Sequence, residues 1–414
     1  MKPYTLLHDF RNGAATLLLA LGILFTPQIG RAVAPAITAT KDDGIAAGTK
    51  KNPGDTIPYT ISISNTGSAD ATGVTLTDAT PTNTTDVGGS LAASPVGVDD
   101  LYPQTVIGNV SINSALIPYS VVSNDYLGLN PQATIDLVQA ANTIVSNTIT
   151  ATTTLGGTVV MTVSGASMGQ FTYNPPTGLR TGNDTFTYRL TDNASAPSAA
   201  SNRTATVTIP VSGIVWFINN NAGACSSNCD GRLSNPFTSL ANFQAVNDSG
   251  ANHPAAGDNI FLYESGTAYV GPVTLLNNQR LIGQDASASL STITGLNPGT
   301  GSAAFPAMNS GNATIAKITS AVNAINLTNG ATSNLIRGLT VGSTTGIGIN
   351  GTSFGTLTVA DVDMSDSPSR TGQALSLTTG TLAATFTSIN STNSAAGGIA
   401  LTSVSGSLTA GSTT

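Results

Sequence analysis

Between residues 56 and 78 apolar and polar positions alternate one by one. Ile57, Tyr59, Ile61 and Ile63 are interleaved with Pro58, Thr60 and Ser62, and Val74 and Leu76 flank Thr75. A period of two predicts strands with one buried face, and Asn65-Thr66-Gly67 supplies the turn between them. The alternation returns at Phe171 and Tyr173 and again at Phe186, Tyr188 and Leu190, which puts aromatic side chains on one face of each strand. Farther along, short apolar runs recur. Ala324-Ile325-Asn326-Leu327, Gly346-Ile347-Gly348-Ile349, Ala374-Leu375-Ser376-Leu377 and Gly398-Ile399-Ala400-Leu401 follow one another at 22, 28 and 24 residues, measured between their last positions. A second series, Leu357-Thr358-Val359, Leu382-Ala383-Ala384 and Leu408-Thr409-Ala410, runs between them at 25 and 26. Two series sharing one period predict stacked coils, because a coil that cannot bury its apolar face alone buries it on its neighbours.

Composition strengthens the all-β reading. Only 8% of the 414 residues are charged, Glu264 is the one glutamate, and His253 is the one histidine past residue 36. The strong helix formers Glu, Lys and Arg are scarce, whereas Thr and Val favour strands and Gly and Asn favour turns. The same scarcity leaves few groups for proton transfer.

Residues 1–36 read as a cleaved secretory signal, with cationic Lys2 and Arg11, an apolar run over 14–25, and small residues at Ala32, Ala34 and Ala36. The cut falls after either Ala34 or Ala36. Twelve apolar residues fall short of the roughly 20 a spanning helix needs, so no transmembrane segment is expected after cleavage. The expected location is secreted or cell-surface. Losing Lys2, Arg11 and Arg31 together with Asp9 moves the net charge from −7 to −9. Nucleic acid is thereby disfavoured as a partner, since phosphate binding needs clustered cations and Lys50-Lys51 is the only adjacent basic pair. For Cys225 and Cys229, four residues apart, export favours a disulfide. A metal site is the alternative, although two thiolates alone do not complete a zinc sphere.

Three textures follow the leader. Residues 37–81 carry Pro53-Gly54-Asp55, Tyr59, Asn65-Thr66-Gly67 and Asp78, and resemble the immunoglobulin-like domain-of-unknown-function-11 module of prokaryotic surface proteins. The later strands of that module are missing or short here, so it is expected to be partial. A Thr/Gly/Ser linker covers 82–96. Residues 97–212 carry Asp99-Asp100-Leu101-Tyr102, Asn124-Asp125 and Gly182-Asn183-Asp184-Thr185-Phe186-Thr187-Tyr188, ending at Asp192. This ordered set resembles bacterial cadherin-like repeats, which implies an immunoglobulin-like β-sandwich. Residues 213–414 open with Ile214-Val215-Trp216-Phe217-Ile218 and Asn235-Pro236-Phe237-Thr238-Ser239-Leu240, and resemble the start of a right-handed parallel β-helix of the pectin-lyase-like fold. There the Asn-Pro-Phe segment begins a capping helix.

The cadherin-like resemblance makes calcium the candidate cofactor, with Asp99, Asp100, Asp125, Asp184 and Asp192 as ligands converging from several loops. The same residues also suit turns, closed by side-chain to backbone hydrogen bonds. The pectin-lyase-like resemblance implies polysaccharide cleavage as the enzymatic alternative. Asp361 and Asp363, two apart on one strand, would serve with Arg337 or Arg370; a solvated strand face is the plainer reading. Fold alone does not confer the activity, and His253 lies outside any Gly-His-Gly pattern. His253 is expected at the surface and Trp216 in the packing where the β-helix begins. The function expected is a structural or adhesive one, a stalk presenting a β-helical array to glycans or cell-surface proteins. The final residues, 405–414, continue the repeat texture without a polar cap, which reads as a chain truncated within its β-helix.

Overall fold

The computed structural model describes residues 34–67, 69, 71, 74, 76–87, 95–127, 134–139, 144–190, 203–330, 333–365 and 370–413. Nearly all of the expected signal, part of the linker, and the candidate Asp192 lie outside them. The chain divides into two units, residues 1–90 and 91–414. Among the described residues no helix is long and apolar enough to cross a membrane.

In the first unit Ile37–Asp42 pairs antiparallel with Thr60–Asn65, Ile37 opposite Asn65 and Asp42 opposite Thr60. The alternation is present, but its expected burial is not. Tyr59 is 39% and Ile63 48% exposed, while Ile57 and Ile61 are only partly covered. Among the described residues this two-stranded ribbon has no facing layer, so its apolar side stays open. Lys41 partly covers it, 4.2 Å above the Tyr59 ring and ion-paired to Asp78 at 2.7 Å.

The second unit opens with two sheets that contribute to one apolar core. One is antiparallel, in the order Ile112–Asn113, Phe171–Asn174, Thr158–Thr162, Thr148–Thr152 and Ile144–Val145. In the other, Thr181–Leu190 runs antiparallel between Ile135–Leu137 and Thr204–Ile218. Phe171, Tyr173, Phe186, Tyr188 and Leu190 all point inward and are at most 2% exposed, as their alternation predicts. Burying one such ring stabilises by about 1.5–3 kcal/mol, and edge-to-face pairs such as Phe171 on Phe186, with centroids 5.2 Å apart, contribute about 0.5–1.5 kcal/mol more.

Thr204–Ile218 belongs to both halves of this unit. Up to Ser212 it pairs antiparallel with Thr181–Leu190, and from Val215 it pairs parallel with Asn259–Leu262. The expected division between 212 and 213 therefore falls inside one strand. Gly213 sits at the change of partner with φ 75°, and a Cβ there would come within 2.3 Å of the Leu296 side chain. The positive φ calls for glycine, and a larger residue would also have to displace Leu296.

From that strand the chain winds into a parallel β-solenoid of about six turns. A short helix, Leu240–Gln244, lies near its start, N-capped by Ser239 and packed through Phe243 on Phe237, which stacks on Trp216. The strands stack in columns whose apolar residues form one core from Ile214 to Ile389. Both repeat series form these columns, but at a shifted register. Ile325 pairs with Ile349, Ile349 with Leu375, and Leu375 with Ile399; Leu382 pairs with Gly406 and Ala384 with Leu408. The first series is two residues off the sequence alignment at its first two steps, in opposite directions, and the second series at its last step. A slip of two keeps the same side chains inward, so periodicity alone does not detect it.

Candidate functional site

Of the acids expected to hold calcium, Asp99, Asp100 and Asp125 lie near one another, Asp184 lies apart from them, and Asp192 falls outside the described residues. Among the described residues no three His, Cys, Asp or Glu side chains form a group able to hold a metal. Asp99, Asp100 and Asp125 do share a corner of the two-sheet unit, and their oxygens are engaged there by protein donors. Asp99 accepts from the Thr206 amide at 2.8 Å and Asp125 from the Val98 amide at 2.7 Å. The Tyr188 hydroxyl lies 2.7 Å from Asp125 and 3.1 Å from Asp100, and Tyr119 donates to Asp100 at 3.1 Å. Asp184 is fully buried elsewhere, where Tyr173 donates to it at 2.8 Å and the Leu155 and Thr185 amides at 2.9 Å. Apart from the Thr185 amide these donors are distant in sequence, so the carboxylates tie separate segments together rather than close local turns.

Burial pushes the Asp100 carboxyl up to about 7, with the neighbouring charges of Asp125 and Asp99 acting the same way against donation from the two tyrosines. The folded protein then holds a proton that the unfolded chain releases near pH 4. Its stabilising contribution is full below that value and is lost as pH rises through 7. Melting of this unit should therefore fall between about pH 5 and pH 8, and Asp100→Asn should flatten that slope; an unchanged slope in the variant would assign it to other groups.

On the solenoid, Arg337 and Asp361 do come together. The Arg337 Nε donates to Asp361 at 2.8 Å, and the Ser287 amide and hydroxyl donate to the same carboxylate oxygen at 3.1 and 2.8 Å. Burial pushes this carboxyl up, but donation from Ser287 and Arg337 outweighs it and holds it below its ordinary range. The expected pairing of Asp361 with Asp363 fails. Asp361 has φ 53° at a register shift in Ile349–Met364, which turns it toward the preceding coil, whereas Asp363 accepts from Ser388 on the following one. Arg370 does not join them either. It is fully buried and donates to the Val341 carbonyl at 2.7 Å, the Ser365 carbonyl at 3.1 Å and the Thr344 hydroxyl at 3.0 Å. It braces turns.

Cys225 and Cys229 form a disulfide. His253 is on the surface, 2.7 Å from Asp248. Trp216 is fully buried, and its indole N–H donates to Asp258 at 2.8 Å.

Asp258 went unnoticed in the sequence, although it gathers donors from both sides of the joint. Only 3% exposed, it also takes Arg180 Nε at 2.7 Å, Arg180 Nη2 at 2.5 Å and the Ala255 amide at 2.8 Å. Arg180 comes from the two-sheet half, beside Thr181–Leu190, and Asp258 precedes the solenoid strand Asn259–Leu262. A bidentate guanidinium-carboxylate pair of this kind fixes orientation as well as distance. A charge pair 78 residues apart leaves no local signal in a sequence.

No family model, curated protein or solved structure matches this chain, so a reading of its function rests on the geometry above.

Proposed function

We propose that this is an exported structural or adhesive surface protein. In this reading the two-sheet unit, taken as a cadherin-like immunoglobulin-type sandwich, is a stalk, and the solenoid, taken as a right-handed parallel β-helix of the pectin-lyase-like kind, is the part it presents to glycans or cell-surface partners. Residues 37–81 would add a partial immunoglobulin-like module before it.

The observation that supports this most is the shared strand Thr204–Ile218, reinforced by the Arg180–Asp258 pair. A strand hydrogen-bonded on both sides of Gly213 leaves no linker to bend, which suits a part whose task is to hold another at a fixed attitude. The enzymatic alternative finds less support. Arg337 and Asp361 neutralise each other, and Asp363 and Arg370 are directed elsewhere.

The test is to apply the purified protein, without residues 1–36, to a glycan array and to soluble polyuronates. Retention on glycans with no unsaturated uronate products is expected. Sustained uronate release, abolished by Asp361→Ala, would replace the adhesive reading with a lyase.

A further inference from the structure

We propose that a cleft in the solenoid wall, formed by the segment that leaves strand Arg280–Gly283 and the strap at residues 304–310, binds a short uncharged oligosaccharide. This inference rests on the adhesive reading and gives it a place and a ligand class.

The cleft has a volume of about 580 Å³, within the roughly 300–1,000 Å³ typical of ligand sites. Its walls are held from behind. Ser287 on one side is bonded to Asp361 and Arg337. The strap opposite is tied by Gln284 Nε2 to the Ala307 carbonyl at 2.9 Å, and by Asn309 both to the Gln284 carbonyl at 2.9 Å and to Glu264 at 2.7 Å. Glu264, the one glutamate, thus serves the wall of the cleft and takes Asn312 as well, at 2.9 Å. A site whose walls are fixed before binding loses less freedom when the ligand arrives.

The lining indicates the ligand class. Leu290, Phe305 and Met308 give an apolar floor, continuous with the core around Phe217. Above it, Ser291, Asn297 and Ser310 carry side chains with no hydrogen-bond partner among the described residues. No ionisable side chain lines the cleft. Of the two arginines bonded to its walls, Arg337 is paired with Asp361, and Arg280 donates to the Ile293 carbonyl at 3.0 Å without lining the cleft; a chain of net charge −7 does not attract polyanions. Apolar patches and free hydroxyl and amide groups without charge match a neutral sugar, which offers both C–H faces and hydroxyls.

The test uses the full chain with uncharged di- to tetrasaccharides of the cello, xylo, manno and malto series and the corresponding oligouronates, followed by calorimetry. Two variants, Asn297→Ala and Ser310→Trp, change exposed residues and should melt like the wild type. Binding of at least one neutral series is expected, weakened about three- to tenfold by Asn297→Ala and lost in Ser310→Trp. Oligouronates binding as well as the neutral sugars would overturn the ligand class. Glycan retention that survives Ser310→Trp unchanged would overturn the cleft while leaving the adhesive reading intact. Failure of the wild type to hold any glycan would remove both.

Discussion

Asp258→Ala should destabilise residues 91–414 by about 3–5 kcal/mol, because it removes one partner of a largely buried charge pair and leaves the other side without its counter-charge. Three donors lose their acceptor together: the Arg180 guanidinium, the fully buried Trp216 indole and the Ala255 amide. Arg180 is itself about a third exposed and regains some hydration, so the indole and the amide carry much of the cost. Trp216 is the only tryptophan, so its fluorescence during urea unfolding reports this joint directly. The midpoint should fall in Asp258→Ala and fall less in Asp258→Asn, which retains one acceptor oxygen. A variant that unfolds at the wild-type midpoint would show that the pair does not hold the two halves.

Asp184→Ala should be about as costly, near 3–5 kcal/mol, through several buried donors left without an acceptor and the cavity that remains. The carboxylate is fully buried and gathers Thr153, Tyr173 and two backbone amides. With the carboxylate gone, a buried tyrosine hydroxyl and the amides have no acceptor, and a cavity of carboxylate size remains. Unfolding followed by far-ultraviolet circular dichroism, in calcium and in chelator, separates this from a metal role. Equal loss in both conditions is expected. Loss seen only in calcium would make Asp184 a ligand.

The contrast between these two acids shows how far the sequence could be read. Asp184 stands in a conspicuous local pattern before Phe186 and Tyr188, so its importance was legible although its chemistry was not. Asp258 stands in none, because its partners Arg180 and Trp216 meet it only through the fold. The alternating aromatics of residues 171–190 were reliable because both sheets exist to bury them. The same alternation at Ile57 to Ile63 marked an apolar side correctly but could not reveal that no second layer of described residues covers it. The repeat series gave the solenoid and its period, yet not its register, since a two-residue slip leaves the inward pattern unchanged. The pairing of Asp361 with Asp363 assumed a regular strand. The backbone of Asp361 lies in the left-handed region instead, and an ionic bond to Arg337 and two bonds from Ser287 favour that departure. The cleft was invisible for a similar reason, because Ser291, Asn297 and Ser310 are unremarkable residues that become neighbours only when the strap folds back over the coil.

The central claim is that the two-sheet half and the solenoid are one continuous body through Thr204–Ile218. Amide hydrogen exchange along that strand tests it most directly. If the strand is shared, the slowest amides before Gly213 and those from Val215 to Ile218 should exchange at one common rate, through opening of the whole unit, and Asp258→Ala should accelerate both together. Two distinct classes divided at Gly213, with residues 204–212 opening while 215–218 stay protected, would contradict it.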